Sequence, residues 1–273
     1  MSYYLKHWRN NIWHGKFSLF PEETVIHAVS TRQGGAGRKP YDTLNLALHV
    51  GDDADTVRKN RRLFAHGLGV NPQDIVTPEQ VHGVTVQRVT NAERGRGSLS
   101  YADAISATDA LITDEPNLPL MLCFADCTPL LFFDPEHLAI GVAHAGWKGT
   151  VGKIGSATVA AMTKEFGTRP QDVLAAIGPA IGVCCYEVGD NVIEAAETAF
   201  AQEAARVLLR RDGKTYFDLQ TANRLTLLDV GLTKTNIETA ASCTVCENQW
   251  YFSYRAAGGQ TGRIAALMAL RGV

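Results

Sequence analysis

A chain of 273 residues that is 45% hydrophobic and 20% charged is long enough to bury a sizeable core and has ordinary globular composition. Its formal net charge of −2 gives no bulk electrostatic drive toward nucleic acid or an anionic membrane, so neither is expected as a partner. The strongest apolar run, near Leu118–Phe133, is interrupted by Asp126, and the opening MSYYLKHWRNNIWHGKF lacks the apolar centre of a signal peptide; a cytoplasmic location is the default expectation.

In chain order, TVIHAVST (24–31) alternates like a strand and runs into RQGGAGRKPYD, a Gly-rich basic loop. GDDADTVRKNRRLFAHGLG predicts an amphipathic helix from its acidic start, its Val57/Leu63/Phe64 face and its closing glycines. IVT (75–77) and VTVQRV (84–89) read as strands around PEQVHG, and 92–108 as an exposed polar loop. DALIT (109–113), LPLMLC (118–123), PLLFFD (129–134) and AIGVAH (139–144) are strand-like, with turns at DEPN and DPEH. GTVGKIGSATVAAMTKEFG carries Val151, Ile154, Val159, Met162 and Phe166 at helical spacing. VLAAIG predicts a strand leading to the turn PAIGVCCYEVGD; Asn191–Arg210 and Leu219–Val230 predict helices. NIETAASCT and WYFSYR read as strands, and TGRIAALMALRG as a last short helix. Strands outnumber strand–helix–strand crossovers and nothing forces a boundary. The expectation is one α+β domain over residues 1–273, with mixed β-sheets flanked by helices.

The hairpin carries the first chemical signal. With DPEH as its turn, Phe133 falls near Ala139 or Ile140 and Pro129 comes back opposite roughly His144. Cys127 then stands beside His144 at the open end of the sheet, where Asp126 and Pro129 stop the ladder. His82 in PEQVHG is a third candidate. Two histidines and a cysteine leave one open position on a tetrahedral ion, the pattern of a catalytic zinc. Spacing alone, however, contains no local zinc motif, and on spacing alone a buried thiol and two satisfied core histidines explain these residues better. Cys127 could equally be a nucleophile with His144 as its base. Of the six cysteines, Cys243-x-x-Cys246 offers half a zinc site or a redox pair, but no second CxxC exists and Cys184–Cys185 are adjacent, so buried thiols are the better reading. Asp126 either orients the triad or caps the strand end. Glu79 reads as a solvated glutamate, and Tyr186 and Phe252 as core or pocket wall.

STRQGG (30–35), YDTLNLALHVGDD (41–53), NRRL (60–63), EQVHG, DALIT, ADCTP, HAGWKG, GPAIG…CYEVG, CT (243–244) and FSYR…TGR (252–263) follow one another in an order that resembles the YfiH family, also called the multicopper polyphenol oxidase or laccase-domain family. The resemblance spans nearly the whole chain. It implies a fold similar to the Cys–His catalytic domain of cytotoxic necrotizing toxins. It also implies metal ligands at His82, Cys127 and His144, with His82 brought in from another strand, and Zn2+ as cofactor with copper as an alternative. The implied activity is purine nucleoside phosphorolysis of adenosine or inosine, with adenosine deaminase and S-methyl-5'-thioadenosine phosphorylase activity beside it. The partners are then a purine nucleoside and phosphate; the oligomeric state is left open. Two positions depart from the family pattern: Lys148 stands where arginine is common, which keeps the charge but loses the bidentate fork, and Ala256 follows Arg255 where a second arginine is usual.

Phosphorolysis needs an anion site. Arg32 beside Gly34 and Gly35 is the expected cradle, with Arg38 or Lys148 assisting; a mobile surface arginine is the bland alternative. His49, Arg255 and Arg263 lie in family blocks and are expected near the substrate. Copper-oxidase chemistry of the ordinary laccase kind requires roughly ten histidines, usually in His-x-His pairs; the chain has eight and no such pair. Weak polyphenol oxidation by bound copper, a metal-free Cys–His hydrolase acting on peptidoglycan precursors, and a non-catalytic metal-binding module are the competing expectations.

Overall fold

A computed structural model describes residues 3–8 and 11–272. Two large β-sheets lie face to face. The first is antiparallel throughout, in the order β1 (Tyr3–His7), β2 (Trp13–Phe17), β3 (Val25–Ser30), β14 (Ile264–Leu270), β6 (Leu120–Phe124). The second is mixed, in the order β13 (Ile237–Thr239), β9 (Leu174–Ile177), β7 (Thr128–Asp134), β8 (Ala139–Ala145), β5 (Ala110–Thr113), β4 (Val86–Arg88), with its outer pairs β13/β9 and β5/β4 parallel. A small third sheet, β10 (Glu187–Val188), β12 (Lys214–Phe217), β11 (Leu208–Arg211), sits apart from both.

Period-two alternation explains the layering. Leu120, Leu122 and Phe124 of β6 and Ile264, Ala266 and Met268 of β14 meet Leu131 and Phe133 of β7 and Ile140 and Val142 of β8 in one core between the sheets. The intervening residues face outward on each side. Met121, Cys123, Ala265 and Leu267 pack under α1 (Ala54–Leu68). Leu130, Phe132, Ala139 and Ala143 pack under α3 (Ile154–Phe166) and α6 (Leu219–Asp229). The result is an α+β structure in the layers helix, sheet, sheet, helix. A fourth core joins α4 (Asp190–Phe200), α5 (Ala204–Val207) and the small sheet. No helix among the described residues is long and apolar enough to cross a membrane.

Several elements follow the sequence reading. Asp53 caps α1 by accepting from the Thr56 N–H, and Gly69 ends it in the left-handed conformation at φ 72°. The β7–β8 hairpin turns where DPEH predicts: Asp134 accepts from the backbone N–H groups of Glu136 and His137. Four expectations are corrected. Residues 264–270 form β14 and not a helix; all seven side chains are buried because the strand lies between β3 and β6 and packs on both faces, which erases the alternation that marks a strand. The helix expected over Asn191–Arg210 is broken after Phe200, where Ala201 adopts φ 38°; α5 ends at Val207, and Leu208–Arg211 pairs with β12. WYFSYR is a turn-rich loop that buries Tyr251 and Phe252 without strand pairing. The helix expected after His144 is broken: α2 (Trp147–Val151) stops at Gly152, Lys153 adopts φ 59°, and α3 starts afresh at Ile154.

Candidate metal centre and substrate cavity

The hairpin register pairs Pro129 with His144 and Phe133 with Ile140, so Cys127, immediately before β7, stands at the same sheet end as His144. Ile140, Val142 and His144 alternate onto the face that meets the other sheet. The buried His144 ring therefore enters the mouth between the sheets, 5.5 Å from the Phe124 ring centre. His82 arrives on a loop and not, as expected, on a strand. Its backbone is left-handed at φ 63°, a conformation that costs a non-glycine residue free energy and persists where surroundings impose it.

Those surroundings are one carboxylate. Asp109, fully buried immediately before β5, accepts from the backbone N–H groups of Val81 (3.2 Å), His82 (3.0 Å) and Gly83 (2.6 Å). The same carboxylate accepts from Nδ1 of His144 at 2.9 Å, which leaves Nε2 of that ring as the free ligand atom. Burial alone would raise the Asp109 pKa. The bonds from His144, Gly83 and Val81 outweigh that and hold it below the usual carboxylate range.

His82 Nε2 lies 3.9 Å from Cys127 Sγ, and one ligand atom each from His82, Cys127 and His144 falls within 4.8 Å of the others. The two imidazoles meet edge to face at 4.7 Å. Gly146 makes room for them: a Cβ there would stand 2.8 Å from His82 Cδ2 and 3.1 Å from Cys127 Sγ. Burial would raise the Cys127 pKa, but the facing imidazoles of His144 and His82 bring it down to about 6. Burial would likewise lower His144, yet the Cys127 thiolate and Asp109 carboxylate raise it to about 9. Near neutral pH the metal-free pair is thus thiolate and imidazolium, and metal binding would displace the His144 proton. Two neutral imidazoles and one thiolate then make a three-ligand set with a free position. These residues fit a metal ion.

The three side chains lie on the wall of a cavity of about 560 Å³. His49, Arg255 and Arg263 line it, together with Gln80, Trp147, Tyr186 and Asp126. Desolvation and the charge of Arg263 lower the His49 pKa to about 4, so that ring is neutral near pH 7. Asp126 neither bonds a triad side chain nor caps the strand with its carboxylate: Oδ1 accepts from the Thr244 hydroxyl (2.6 Å) and Oδ2 from the Arg255 backbone N–H (2.7 Å), which ties the 243–255 loop to the hairpin end.

Other expected residues are not brought to this cavity. Arg32 lines a separate, smaller one; its guanidinium donates to the Asp42 and Asn248 carbonyls and pairs with Asp42 at 3.4 Å. The Gly35 N–H is taken by Thr43 Oγ1, and a Cβ on Gly34 or Gly35 would strike backbone at 2.5 or 2.3 Å. These glycines serve close chain packing. Lys148 is exposed and lies 5.7 Å from the Trp147 ring centre, while Glu79 accepts from Ser106 and Ala107 outside the cavity. Asp109 went unselected from the sequence; its place at the head of DALIT was the available signal. The reading of Cys184, Cys185, Cys243 and Cys246 as buried thiols is corrected for three of them: Cys243 is buried, but Cys184 and Cys246 are exposed and Cys185 is half-buried.

The sequence profile of the family described as "Multi-copper polyphenol oxidoreductase laccase" matches residues 26–271. The chain is 40% identical over 248 residues to "Purine nucleoside phosphorylase YlmD" of Bacillus subtilis, covering 90% of this chain and 89% of that protein. It is 36% identical over 240 residues to "Adenosine deaminase RL5" of an unknown prokaryotic organism, covering 87% and 91%. The crystal structure of YlmD from Geobacillus stearothermophilus superposes with a TM-score of 0.93 at 37% identity, covering 98% and 99%.

Proposed function

The chain belongs to the multi-copper polyphenol oxidoreductase laccase family, and from that premise we propose that it is a zinc-dependent purine nucleoside phosphorylase acting on adenosine and inosine. The relatives named purine nucleoside phosphorylase support an enzyme of purine metabolism. The observation that carries the reading is the convergence of His82, Cys127 and His144 on one point of the cavity wall, with room beside it for a nucleoside. Blue-copper sites add a weak axial ligand, commonly methionine, to two histidines and a cysteine. Three ligands that leave an open position on a cavity wall are the pattern of a catalytic zinc, which is the ion proposed for His82, Cys127 and His144. Zinc there would supply a Lewis acid.

In phosphorolysis a phosphate oxygen forms the bond to C1′ while the bond from C1′ to the base nitrogen breaks. The bonding pair leaves with the base, which takes up a proton, and the products are free base and ribose 1-phosphate. Arg263 and Arg255 are the permanently charged cations of the cavity wall, so the anion role passes to them from Arg32. Arg263 spends its NH1 on the Thr261 and Gly262 carbonyls, which fixes its plane. Trp147 and Tyr186 offer flat faces for the base. Adenosine deaminase and S-methyl-5'-thioadenosine phosphorylase activities would use the same cavity, the former in keeping with the relative of that name.

Product analysis tests this directly. Metal-quantified protein with adenosine should release adenine and ribose 1-phosphate only when phosphate is present, and any inosine should form without phosphate. Absence of free base from zinc-replete protein, with hydrolysis of a peptidoglycan precursor instead, would support a Cys127–His144 hydrolase and overturn the proposal.

A further inference from the structure

A second group of ligand atoms lies beside the cavity, outside its wall. The Sγ atoms of Cys184, Cys185, Cys243 and Cys246 all fall within 4.8 Å of one another. Cys246 Sγ is 3.6 Å from Cys184 Sγ and 3.5 Å from Cys185 Sγ. Four thiolates around one zinc at about 2.3 Å stand about 3.8 Å apart along the edges of the tetrahedron, so the observed separations are those of a shared ion. All four cysteines are free of disulfides. We propose that Cys184, Cys185, Cys243 and Cys246 form a structural tetrathiolate zinc site.

The backbone around the sulfurs is built for it. The Glu247 N–H bonds back to the Cys243 carbonyl at 2.9 Å, closing the turn that puts Cys243 and Cys246 on one side. The Gly182 N–H donates to Cys243 Sγ at 3.2 Å, the kind of contact that orients a metal thiolate. A Cβ on Gly182 would stand 3.1 Å from Cys184 Sγ and 3.0 Å from Cys243 Cβ, so a glycine lets the two loops close. Four thiolates and Zn2+ carry a net charge of −2, with four thiol protons released on binding. Cations stand by: Arg211 donates to the Cys184 carbonyl at 3.2 Å and Arg255 to the Cys185 carbonyl at 3.4 Å.

The site joins two loops that lie outside the sheets. One carries Ile181 and Tyr186, the other Tyr254 and Arg255, and all four line the substrate cavity. Beside the cluster the loops share one isolated bridge, Ala180 to Cys243. A bound ion fixes the remaining freedom, and the zinc is a staple for that wall of the cavity.

Metal stoichiometry separates this proposal from the catalytic one. Zinc per chain is measured by mass spectrometry on the full chain purified under reducing conditions, on Cys127→Ala, and on Cys184→Ser combined with Cys246→Ser. Two equivalents are expected for the natural chain and one for each variant, and cobalt substituted into Cys127→Ala should show intense thiolate-to-cobalt charge-transfer absorption. A Cys127→Ala chain without zinc overturns the tetrathiolate site, as does an intact mass two hydrogens short of the reduced chain, which marks a disulfide instead. If only the His82–Cys127–His144 reading fails, the natural chain and Cys127→Ala both retain one equivalent. The count on Cys127→Ala decides the matter even if the double variant does not fold.

Discussion

Asp109 couples the two histidines that reach the candidate metal centre from different parts of the chain, holding His144 by its Nδ1 and the His82 loop by three backbone N–H groups. Asp109→Asn keeps the size but presents an NH2 where one set of donors already points. Metal affinity should fall about 10–100-fold, read by chelator competition, while circular dichroism shows the fold retained; unchanged affinity would leave Asp109 a purely structural residue. Gly146→Ala tests the crowding at the centre, because its Cβ would sit 2.8 Å from the His82 ring. It should lose metal and turnover together, and full metal occupancy in that variant would show that the ligands can spread. The meeting of Cys127 and His144 was legible from hairpin logic, His82 joined them only through the family resemblance, and the carboxylate that positions both histidines was not legible at all. Nothing local distinguishes a buried orienting carboxylate from one that caps a strand. Arg32 misled for the opposite reason: a basic residue beside two glycines looks like an anion loop, and only the packing of Gly34 and Gly35 against backbone shows why glycine stands there.

The hairpin β7–β8 is the element whose register could be read, because an Asp-led turn fixes the pairing and the apolar runs on either side are of matching length. β14 could not. Its IAALMAL is buried on both faces, and such a run carries neither period. Helix α1 was legible from its caps, but what locks it down was not. Arg61, buried on α1, donates to the carbonyls of Leu46, Gly97 and Ser98. Arg61→Met would fill similar space and leave those acceptors unpaired, so a loss of about 2–4 kcal/mol is expected in urea unfolding. A change within about 0.5 kcal/mol would mean that α1 is held by its apolar face alone.

Across the molecule the two sheets share one core, and the His82, Cys127 and His144 cluster occupies its open end, where one of these side chains can be lost without emptying the interior. That core also contains a titratable group. His27 of β3 is fully buried, its Nε2 accepting from the Phe17 N–H at 2.9 Å, and burial with the nearby Lys16 lowers its pKa to about 3. The unfolded chain takes up that proton near pH 6.5, so the stabilisation is complete above pH 6.5 and is lost as pH falls toward 3. The slope in that window is up to about 1.4 kcal/mol per pH unit. His14, lowered to about 4 by burial and by Lys16, acts in the same direction. Urea midpoints at pH 7 and pH 5 should therefore fall more steeply for the natural chain than for His27→Gln; parallel slopes would show that His27 is not the group responsible. The central claim is that a metal held by His82, Cys127 and His144 at this sheet end performs the chemistry. Its most direct measurement is adenosine turnover and zinc content of His82→Ala, an exposed residue whose loss leaves the core intact. Loss of one zinc equivalent with turnover down at least about 100-fold is the predicted result, and a variant that keeps both the metal and the rate would contradict it.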